Sequence, residues 1–441
     1  MIFPSGRKDF TIPAFRRIDK LSKTMKTHLL RSVIGVISLF LLFSCNEIEQ
    51  KEKDDGNNPY TPISLNTKQS GFVTAGNDFA GRFIDKIDGN SLKEGEDAWI
   101  VSPLSLQLAL GMLLNGAQGE TAAEICRTLG YEEDEIAEIN AWSKLMLEQL
   151  PKLDKKTDLT LADAIFYNDR ISLKAPYRDA VSTNYLASIE ALDFSNRKAS
   201  ADIINKWCDN QTKGLIPKVI DEVDPGFLAY LVNALYFKGQ WQEKFAKGNT
   251  GNETFYQEDG SKDKVKMMKL VGKEFMYGET DIWQAIRLPY GNGNFAMTVV
   301  LPREGHTVRD ITSAMGKGES VYTPWQVEAD LWLPRFETKY HIKLNDILIN
   351  MGMPCSFNPN TADFGAMSDY PSFVGFVQQD AVIKVDEDGS EAAAVTIIGM
   401  ELAAAPAPPQ KVVFHADRPF LYLITETSTG TILFAGKYSG K

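Results

Sequence analysis

Histidine and cysteine are scarce in this 441-residue chain, which contains four of each. The cysteines are Cys45, Cys126, Cys208 and Cys355, and no two of them have the C-x-x-C spacing of zinc or redox motifs. A disulfide scaffold needs more cysteines in a shorter chain. We therefore predict that the last three are buried thiols, since free cysteine packs as a small apolar residue.

Motifs of catalysis are missing as well. The histidines are His28, His306, His341 and His415, and none of them belongs to an H-E-x-x-H motif or to another metal-ligand spacing. The chain contains neither the G-x-S-x-G sequence of serine hydrolases nor a phosphate-binding loop. The sequence therefore predicts a protein without enzymatic activity, metal or cofactor.

Positive charge is in deficit once the first 44 residues are set aside. Those residues contain 8 Lys and Arg against 2 Asp and Glu, whereas the remainder contains 39 against 56 and so carries a net charge of −17. A surface of that sign repels polyanions. Nucleic acid, anionic polysaccharide and anionic lipid surfaces are therefore not expected as partners.

The N-terminal apolar run is too short to span a bilayer. It covers residues 33–43, about half of the roughly 20 residues that a membrane helix needs. Basic residues precede it, as in a signal peptide, so residues 1–44 are predicted to form a signal region. Met25 is its natural start, and residues 1–24 are interpreted as an upstream extension.

The signal region leads into Leu42-Phe43-Ser44-Cys45, which resembles the bacterial lipobox. The resemblance implies lipidation of Cys45 and a lipoprotein of the cell envelope, at the outer membrane or the cell surface, whose only membrane contact is this anchor. Simple secretion is the alternative. Residues 45–69 are acidic and have little to bury, so we predict a flexible tether there.

Residues 70–441 form the predicted body of the protein. They contain no internal repeat and no low-complexity linker, and they mix helical and strand periods, which predicts a single α+β domain. Within it, Phe227–Phe237 is almost continuously apolar and is predicted to be a strand buried on both faces at the centre of a sheet. Its one polar residue, Asn233, needs a partner, because an unpaired buried amide costs about 1–3 kcal/mol.

The stretch from Lys384 to Pro409 has no evident place in such a body. An acidic turn ends at Gly389, small residues follow, then β-branched residues, and then a run of alanine and proline. No Lys or Arg occurs between Val385 and Gln410. We interpret the stretch as a strand that is held outside the fold.

Motifs across nearly all of residues 70–441 resemble those of the serpin family. In chain order they are Ser102-Pro-Leu-Ser-Leu106, Gly116-Ala-Gln-Gly119, Ile204-Asn-Lys-Trp207, Thr212-Lys-Gly-Leu-Ile216, Asn233-Ala-Leu-Tyr-Phe-Lys-Gly-Gln-Trp241, Leu333-Pro-Arg-Phe336, Ala362-Asp-Phe364 and Phe414-His-Ala-Asp-Arg-Pro-Phe-Leu-Tyr-Leu-Ile424. The resemblance implies an α+β serpin fold with three β-sheets, about nine helices and an exposed reactive-centre loop.

The resemblance also implies a function. A serpin of the inhibitory kind is a monomer that offers its loop to a target serine protease as bait. The protease cleaves and acylates the loop, which then inserts as a new central strand of the largest sheet and traps the protease in a covalent complex.

By this resemblance, eight residues form the hinge at which insertion starts. They are Gly389, Ser390, Glu391, Ala392, Ala393, Ala394, Val395 and Thr396. Most are small and none is proline, so they neither wedge the sheet open nor break its hydrogen bonds. If Ser390 points into the protein, strand alternation keeps Glu391 in water. A short helix from Glu391 to Ala394 is the alternative, and a transient helix outside the sheet is compatible with insertion.

Counting from the hinge, as in the family, puts the cleaved bond between Ala403 and Ala404. Small residues before the cut suit a protease with a shallow specificity pocket, so we predict an elastase-like serine protease as the target. Cleavage after Leu402 or Met400 is the alternative, and it would suit a chymotrypsin-like or a cathepsin-type protease.

Two further features match control points of the family. Ser102, Ser105, Asn233 and Gln379 correspond to a polar cluster under the sheet that regulates its opening, with glutamine in place of the family's histidine. Glutamine donates and accepts hydrogen bonds, so we expect a cluster that persists but does not titrate. Trp241 corresponds to the place where the loop first enters. Plain helix capping by Ser102 and core packing of Trp241 are the alternatives.

Two other functions compete with inhibition. A non-inhibitory serpin would act as a binding or chaperone-like protein at the surface. A surface protein of adhesion or assembly would present the loop as a mere protease substrate. The small residues of the hinge favour inhibition over both.

Overall fold

The computed structural model describes residues 56–320, 323–375, 377–389 and 410–440. Nine α-helices and fourteen β-strands lie in these ranges. The helices are α1 Thr67–Glu94, α2 Pro103–Leu114, α3 Gly119–Leu129, α4 Ile136–Gln149, α5 Ala175–Asn184, α6 Arg197–Gln211, α7 Val308–Gly316, α8 Asn345–Asn350 and α9 Pro354–Phe357. The strands are β1 Trp99–Val101, β2 Thr157–Asn168, β3 Ser188–Leu192, β4 Ala229–Gly239, β5 Gly251–Tyr256, β6 Lys262–Glu279, β7 Trp283–Tyr290, β8 Phe295–Pro302, β9 Trp325–Pro334, β10 Phe336–Lys343, β11 Gln378–Val385, β12 Lys411–His415, β13 Phe420–Glu426 and β14 Ile432–Tyr438.

Hydrogen-bonded strands form three groups. The largest sheet has nine strands, in the order β1-β14-β13-β8-β7-β6-β9-β12, with β5 also paired to β6. A three-stranded sheet has the order β3-β2-β4, and a two-stranded sheet consists of β10 and β11. The predicted α+β fold with about nine helices and three sheets is therefore confirmed for the described residues.

Helix α2 begins where the sequence predicts it. The side chain of Ser102 accepts a hydrogen bond from the Ser105 amide at 3.2 Å, which satisfies one of the free N–H groups of the first turn. Pro103 occupies the first helical position, where its missing N–H costs nothing. The cap places both serines at the N-terminal end of a helix that is buried along almost its whole length.

Helices α1 and α2 belong to the main core, and α6 belongs to a second, smaller one. Phe79 and Phe83, one turn apart on α1, are fully buried and stack with their ring centroids 5.9 Å apart. Ile165 of β2 joins this main core, whereas its neighbour Phe166 joins the smaller core together with Ile204 of α6. Because successive strand residues point to opposite faces, the three-stranded sheet is covered on both faces.

The body begins earlier in the chain than the sequence analysis places it. The Asn58 side-chain amide donates to the Leu153 carbonyl at 2.7 Å, and the amide of the buried Ile63 donates to Ser428 Oγ at 3.0 Å. The structure therefore moves the boundary between tether and body from residue 69 to before Asn58.

The position of β4 differs from the prediction. Its sequence predicts a strand at the centre of a sheet, and the structure places it at an edge. In the described part of the chain it pairs only with β2 and is the edge of its sheet. Several of its apolar side chains are only half-buried, among them Leu231, Val232 and Phe237. The reason is that no described strand occupies the space beside its other edge.

Candidate functional site: a gap between two half-sheets

The unpaired edges of β4 and β11 face one cavity. It has a volume of about 170 Å³ and is lined by residues 227–234, at the start of β4, and by residues 377–380, at the start of β11. Leu106 of α2 and the α6 residues Ile204 and Cys208 complete its walls. We call this space the gap. It separates a three-stranded half-sheet (β3-β2-β4) from a two-stranded half-sheet (β10-β11). Neither belongs to the nine-stranded sheet, so the gap does not lie in the largest sheet, where the resemblance implies insertion.

Strands β4 and β11 run in the same direction and come together at one end. Just after β4, the Trp241 amide donates to the Asp388 carbonyl at 3.1 Å, and the Phe245 amide donates to the Glu387 carbonyl at 3.0 Å. A segment that turned back into the gap after Gly389 would run antiparallel to both strands. A tight turn can join antiparallel strands, whereas parallel strands need a long crossover. The chain path therefore suits entry of the next segment at this end.

Ser102, Ser105, Asn233 and Gln379 are in hydrogen-bonded contact, as the resemblance implies. Gln379 Oε1 accepts from the Ser102 amide at 2.8 Å, and Gln379 Nε2 donates to the Ser102 carbonyl at 2.9 Å. Ser105 Oγ donates to Asn233 Oδ1, while the Ser105 amide bonds Ser102. We call these four residues the polar cluster. It connects β11 to β4 through the start of α2, so the cap of this helix and the cluster share Ser102. Control of sheet opening by the cluster stays a prediction.

Asp163 extends the polar cluster, and the sequence analysis missed it. It lies opposite Asn233 in the β2–β4 pairing, and Asn233 Nδ2 donates to its Oδ1 at 2.7 Å. The residue is 2% exposed, and its Oδ2 accepts no hydrogen bond from any described group. Burial raises the pKa of Asp163 to about 7, although the bond from Asn233 opposes this shift. A titratable carboxyl group therefore adjoins the polar cluster, whose own four residues contain none. The one signal in the sequence was an acidic residue in the middle of β2, between Ala162 and Ala164.

Trp241 lies where the two half-sheets meet. Its ring is 3% exposed and stacks on Tyr290 with the centroids 4.4 Å apart, so it packs in the core. Its Nε1 also donates to the Asp386 carbonyl at 2.9 Å. The residue predicted to mark loop entry thus contacts the chain just before the hinge, and its role in entry stays a prediction.

Gly389, the first hinge residue, passes directly over the end of β4. Its φ of +91° lies in the region that side chains strongly disfavour. A Cβ at this position would lie 2.3 Å from Trp241 N and 2.6 Å from the Gly239 carbonyl oxygen. Both conformation and space therefore require glycine where the chain leaves β11.

An ion pair between the buried Glu387 and the exposed Arg335 holds the residues that follow β11. Glu387 Oε1 accepts hydrogen bonds from Arg335 at 2.5 Å and from Thr250 Oγ1 at 2.7 Å. Burial alone would raise the pKa of Glu387, but these two partners hold it below its ordinary value. Lys247 also pairs with Asp388 at 2.9 Å. These contacts fix this end of the gap without help from the loop.

The other predicted site residues lie outside the described ranges. They are the hinge residues Ser390–Thr396, the bait bond Ala403–Ala404 and the lipidation residue Cys45. Their roles stay predictions.

The prediction of buried thiols is confirmed for two of the three described cysteines. Cys126 and Cys208 are buried free thiols, and burial raises the pKa of Cys126 to about 11 and that of Cys208 to about 12. Cys355 is a free thiol that is only half-buried. Protonated, buried thiols are poor nucleophiles, so Cys208 is a wall of the gap rather than a reactive group.

Among the described residues, no group of three His, Cys, Asp or Glu side chains is arranged to hold a metal ion. Within those residues no helix combines the length and the apolar character that crossing a bilayer requires. The three described histidines each face a carboxylate; the pairs are His306 with Asp310, His341 with Asp380 and His415 with Glu253.

The fold and the gap define an α+β protein whose sheet is split just where a 20-residue segment, residues 390–409, leaves it. A family model described as Serpin (serine protease inhibitor) matches residues 74–440. The chain therefore belongs to the serpin family, whose members generally are protease inhibitors and not catalysts.

Relatives and solved structures agree with this assignment. A serpin-like protein of Thermococcus kodakarensis is 33% identical over 370 residues, which are 83% of this chain and 84% of that protein. Human neuroserpin is 31% identical over 357 residues, 78% of this chain and 86% of its own. The native thermophilic serpin tengpin superposes with a TM-score of 0.72 at 26% identity, covering 87% of this chain and 96% of its own. Human thyroxine-binding globulin, solved with thyroxine, gives 0.71 at 26% identity, covering 84% and 98%.

Proposed function

We propose that this protein is a suicide inhibitor of elastase-like serine proteases, and that its cleaved loop enters the gap as a new strand. The observation that carries the proposal is the gap itself. Two strands with unpaired edges flank it, and the second of them leads directly into the hinge. Unpaired edges are a liability that folded proteins usually cover, so their retention in a sheet that leads into the hinge sequence favours a use for them.

The composition of β4 supports the same proposal. Its sequence is that of a strand buried between two neighbours, yet β4 has one neighbour among the described strands. A strand in the gap would bury the half-exposed Leu231 and Val232 more fully. It would also supply hydrogen-bond partners for the backbone groups at the unpaired edge of β4. The sequence of β4 therefore suits the inserted state better than the state with an open gap.

The length of the loop fits the gap. Fourteen residues from Ser390 to Ala403 would span about 46 Å as a strand, whereas the 11 residues of β4 span about 36 Å. Insertion up to the cut would fill the whole edge and carry an attached protease from one end of the domain to the other. Of the first residues to enter, Ser390, Ala392 and Ala394 would share the inward face, and all three are small.

The chemistry is that of an interrupted proteolysis. The protease serine attacks the carbonyl carbon of Ala403, the bond to Ala404 breaks, and the nitrogen of Ala404 leaves as an amine. The ester that remains joins the protease to Ala403. Insertion then removes this ester from the geometry that the protease needs to hydrolyse it.

The target follows from the residues before the bond. Alanine at position 403, just before the bond, suits a shallow pocket, and the absence of Lys and Arg between Val385 and Gln410 disfavours trypsin-like proteases. Cleavage after Leu402 or Met400, by a chymotrypsin-like or cathepsin-type protease, is the alternative that the test below distinguishes.

One experiment tests inhibition directly. The protein is mixed with pancreatic elastase and run on a denaturing gel after boiling. We expect a band near the summed mass, loss of elastase activity at close to one inhibitor per enzyme, and a released C-terminal peptide that begins at Ala404 by mass spectrometry. Loop cleavage without such a band, and with undiminished elastase, would falsify the proposal.

Anchoring is a separate part of the proposal. We expect the mature chain to be a monomeric lipoprotein that begins at a lipidated Cys45, with residues 45 to about 57 as the tether. Incorporation of labelled palmitate by the wild type in a bacterial host, and its loss in Cys45→Ala, would support this. Equal labelling of the two would contradict it and leave secretion as the alternative.

Ligand binding is the second candidate function. It is favoured by the cavity of about 170 Å³ and by the similarity to thyroxine-binding globulin, a serpin solved with a small molecule bound. A carrier would not need an insertion-competent hinge, so stoichiometric inhibition in the test above separates the two.

A further inference from the structure

Asp163 is the one acidic side chain buried within the hydrogen-bonded path that links the half-sheets. From β11 the path runs through Gln379 to Ser102, then to Ser105 on α2, and then to Asn233 on β4. Asp163 ends it on β2, 2% exposed. A change of charge at this residue therefore acts on Asn233 and, through it, on the contact with Ser105 that holds β4 above α2.

The elements packed around Asp163 offer its negative charge little support. From β4 it receives the single bond of Asn233 Nδ2 to Oδ1, at 2.7 Å, while Oδ2 has no partner among the described groups. The titratable group facing it is Tyr185, which follows α5 and donates to Asn140. Burial raises the pKa of Tyr185, and the charge of Asp163 adds to that rise. In the described ranges no ion pair joins Asp163 to a basic side chain.

Protonation of Asp163 removes the cost of burying its charge. The neutral carboxyl group still accepts the hydrogen bond from Asn233 at Oδ1, and its unpartnered Oδ2 is no longer charged. An ionised carboxylate needs two to four hydrogen-bond donors to be as well solvated as in water, and only one is present. Any state that admits water to Asp163 is therefore favoured by its ionisation.

We propose that Asp163 makes separation of the half-sheets depend on pH, keeping the gap narrow when it is neutral and promoting separation when it is ionised. Separation of β4 from β11 must precede the entry of a strand, so the residue would set how readily the loop inserts. That consequence rests on the proposed function, whereas the dependence of the separation on pH does not.

The sign and the window follow from proton linkage. In the closed protein the pKa of Asp163 is raised to about 7, and in a hydrated state it returns to about 4. The stability of the closed state relative to the separated state is therefore greatest below pH 4, and it falls as the pH rises to 7. Between pH 6 and pH 8 the equilibrium for separation should rise by up to about tenfold.

Hydrogen–deuterium exchange of the intact protein tests this without any protease. Exchange of peptides from β4 is followed from pH 6 to pH 8 and divided by the intrinsic exchange rate at each pH. We expect the opening constant of the wild type to rise about tenfold, and that of Asp163→Asn to stay constant throughout, well below the wild type's pH 6 value. Asn keeps an oxygen for the Asn233 bond and has no charge to lose.

Asp158→Asn is the matched control, because Asp158 lies on the same strand but pairs with Lys213 at the surface. It should keep the full pH dependence. A wild type without pH dependence, or Asp163→Asn with the dependence retained, would overturn the proposal. Because no protease is present, neither result bears on whether the protein inhibits one.

A second measurement does not rely on a variant that folds. In wild-type protein labelled with carbon-13 at the aspartate carboxyl groups, one buried resonance should titrate near pH 7. If every aspartate titrates below pH 5, the proposal fails whatever the exchange data show.

Discussion

Gly389 shows how much a single residue constrains this fold. Its left-handed conformation and its contact with Trp241 and Gly239 let the chain leave β11 directly over the end of β4. Immediately before it, Glu387 is fixed by Arg335 and Thr250. The start of the predicted hinge is therefore fixed by its surroundings. Adding one methyl group at Gly389 tests how strong this constraint is.

We expect Gly389→Ala to destabilise the protein by about 2–4 kcal/mol, as the sum of about 1–2 for the left-handed conformation and a similar amount for the clash. Gly430→Ala is the control. Gly430 has a similar φ of +77°, but its nearest neighbour would lie 3.9 Å from the new carbon, so only the conformational cost applies. Urea unfolding midpoints measure both. Equal losses in the two variants would mean that the close approach to Trp241 carries no cost.

At the scale of elements, β4 and the hinge have complementary properties. The strand has an apolar sequence and an unpaired edge, and the hinge has small side chains that fit beside such an edge. Alternation divides the hinge into an inward set, which includes Ser390, and an outward set, which includes Glu391. The two positions therefore make different demands on a large side chain.

The prediction for the hinge is a contrast between neighbours. Ser390→Arg should turn the inhibitor into a substrate, raising the number of molecules consumed per protease at least about tenfold, because a buried, unpaired guanidinium opposes insertion by several kcal/mol. Glu391→Arg, which adds the same side chain on the solvent face, should leave this number within about twofold. The partition between covalent complex and cleaved product on a gel measures it. Equal effects would refute the assigned alternation.

Local sequence patterns predicted which segments form helices and strands better than they predicted which of these elements lie side by side. The cap at Ser102 and the strand around Asn233 follow from residue type and spacing, and both are confirmed. The unpaired edge of β4 does not follow from its own residues, because an apolar strand has the same sequence whether or not a neighbouring strand is in place. Only the resemblance to serpins implies room for an inserted strand. Asp163 was missed for a related reason: its partner lies 70 residues away, and only the β2–β4 register brings them together.

At the scale of the whole molecule, the proposed insertion requires that the native state with an open gap is not the most stable arrangement of the chain. Edges of β4 and β11 lack ladder hydrogen bonds that an inserted strand would supply. We expect those bonds, together with burial of the half-exposed apolar side chains of β4, to outweigh the cost of ordering the strand. Such a state persists because of a barrier and not because of its depth.

Cleavage within the loop should therefore stabilise the protein. After limited cutting between residues 397 and 405 by a metalloprotease, which forms no acyl intermediate, we expect the melting temperature to rise by more than about 10 °C. Differential scanning calorimetry measures the change, and cleaved Ser390→Arg, which should not insert, is the control. A cleaved wild type that melts at or below the temperature of the intact protein would speak against a filled gap.

The attachment of β12 limits how many times one molecule can insert its loop. Residues 390–409 are held at both ends, by β11 before them and by β12, which pairs with β9, after them. An intact loop cannot fill the gap without pulling β12 away, so only a cut releases it, and a cut is permanent. If the protein inhibits in the proposed way, each molecule acts once. The number of proteases that it can stop is then set by the number of copies present, and only new synthesis replaces them.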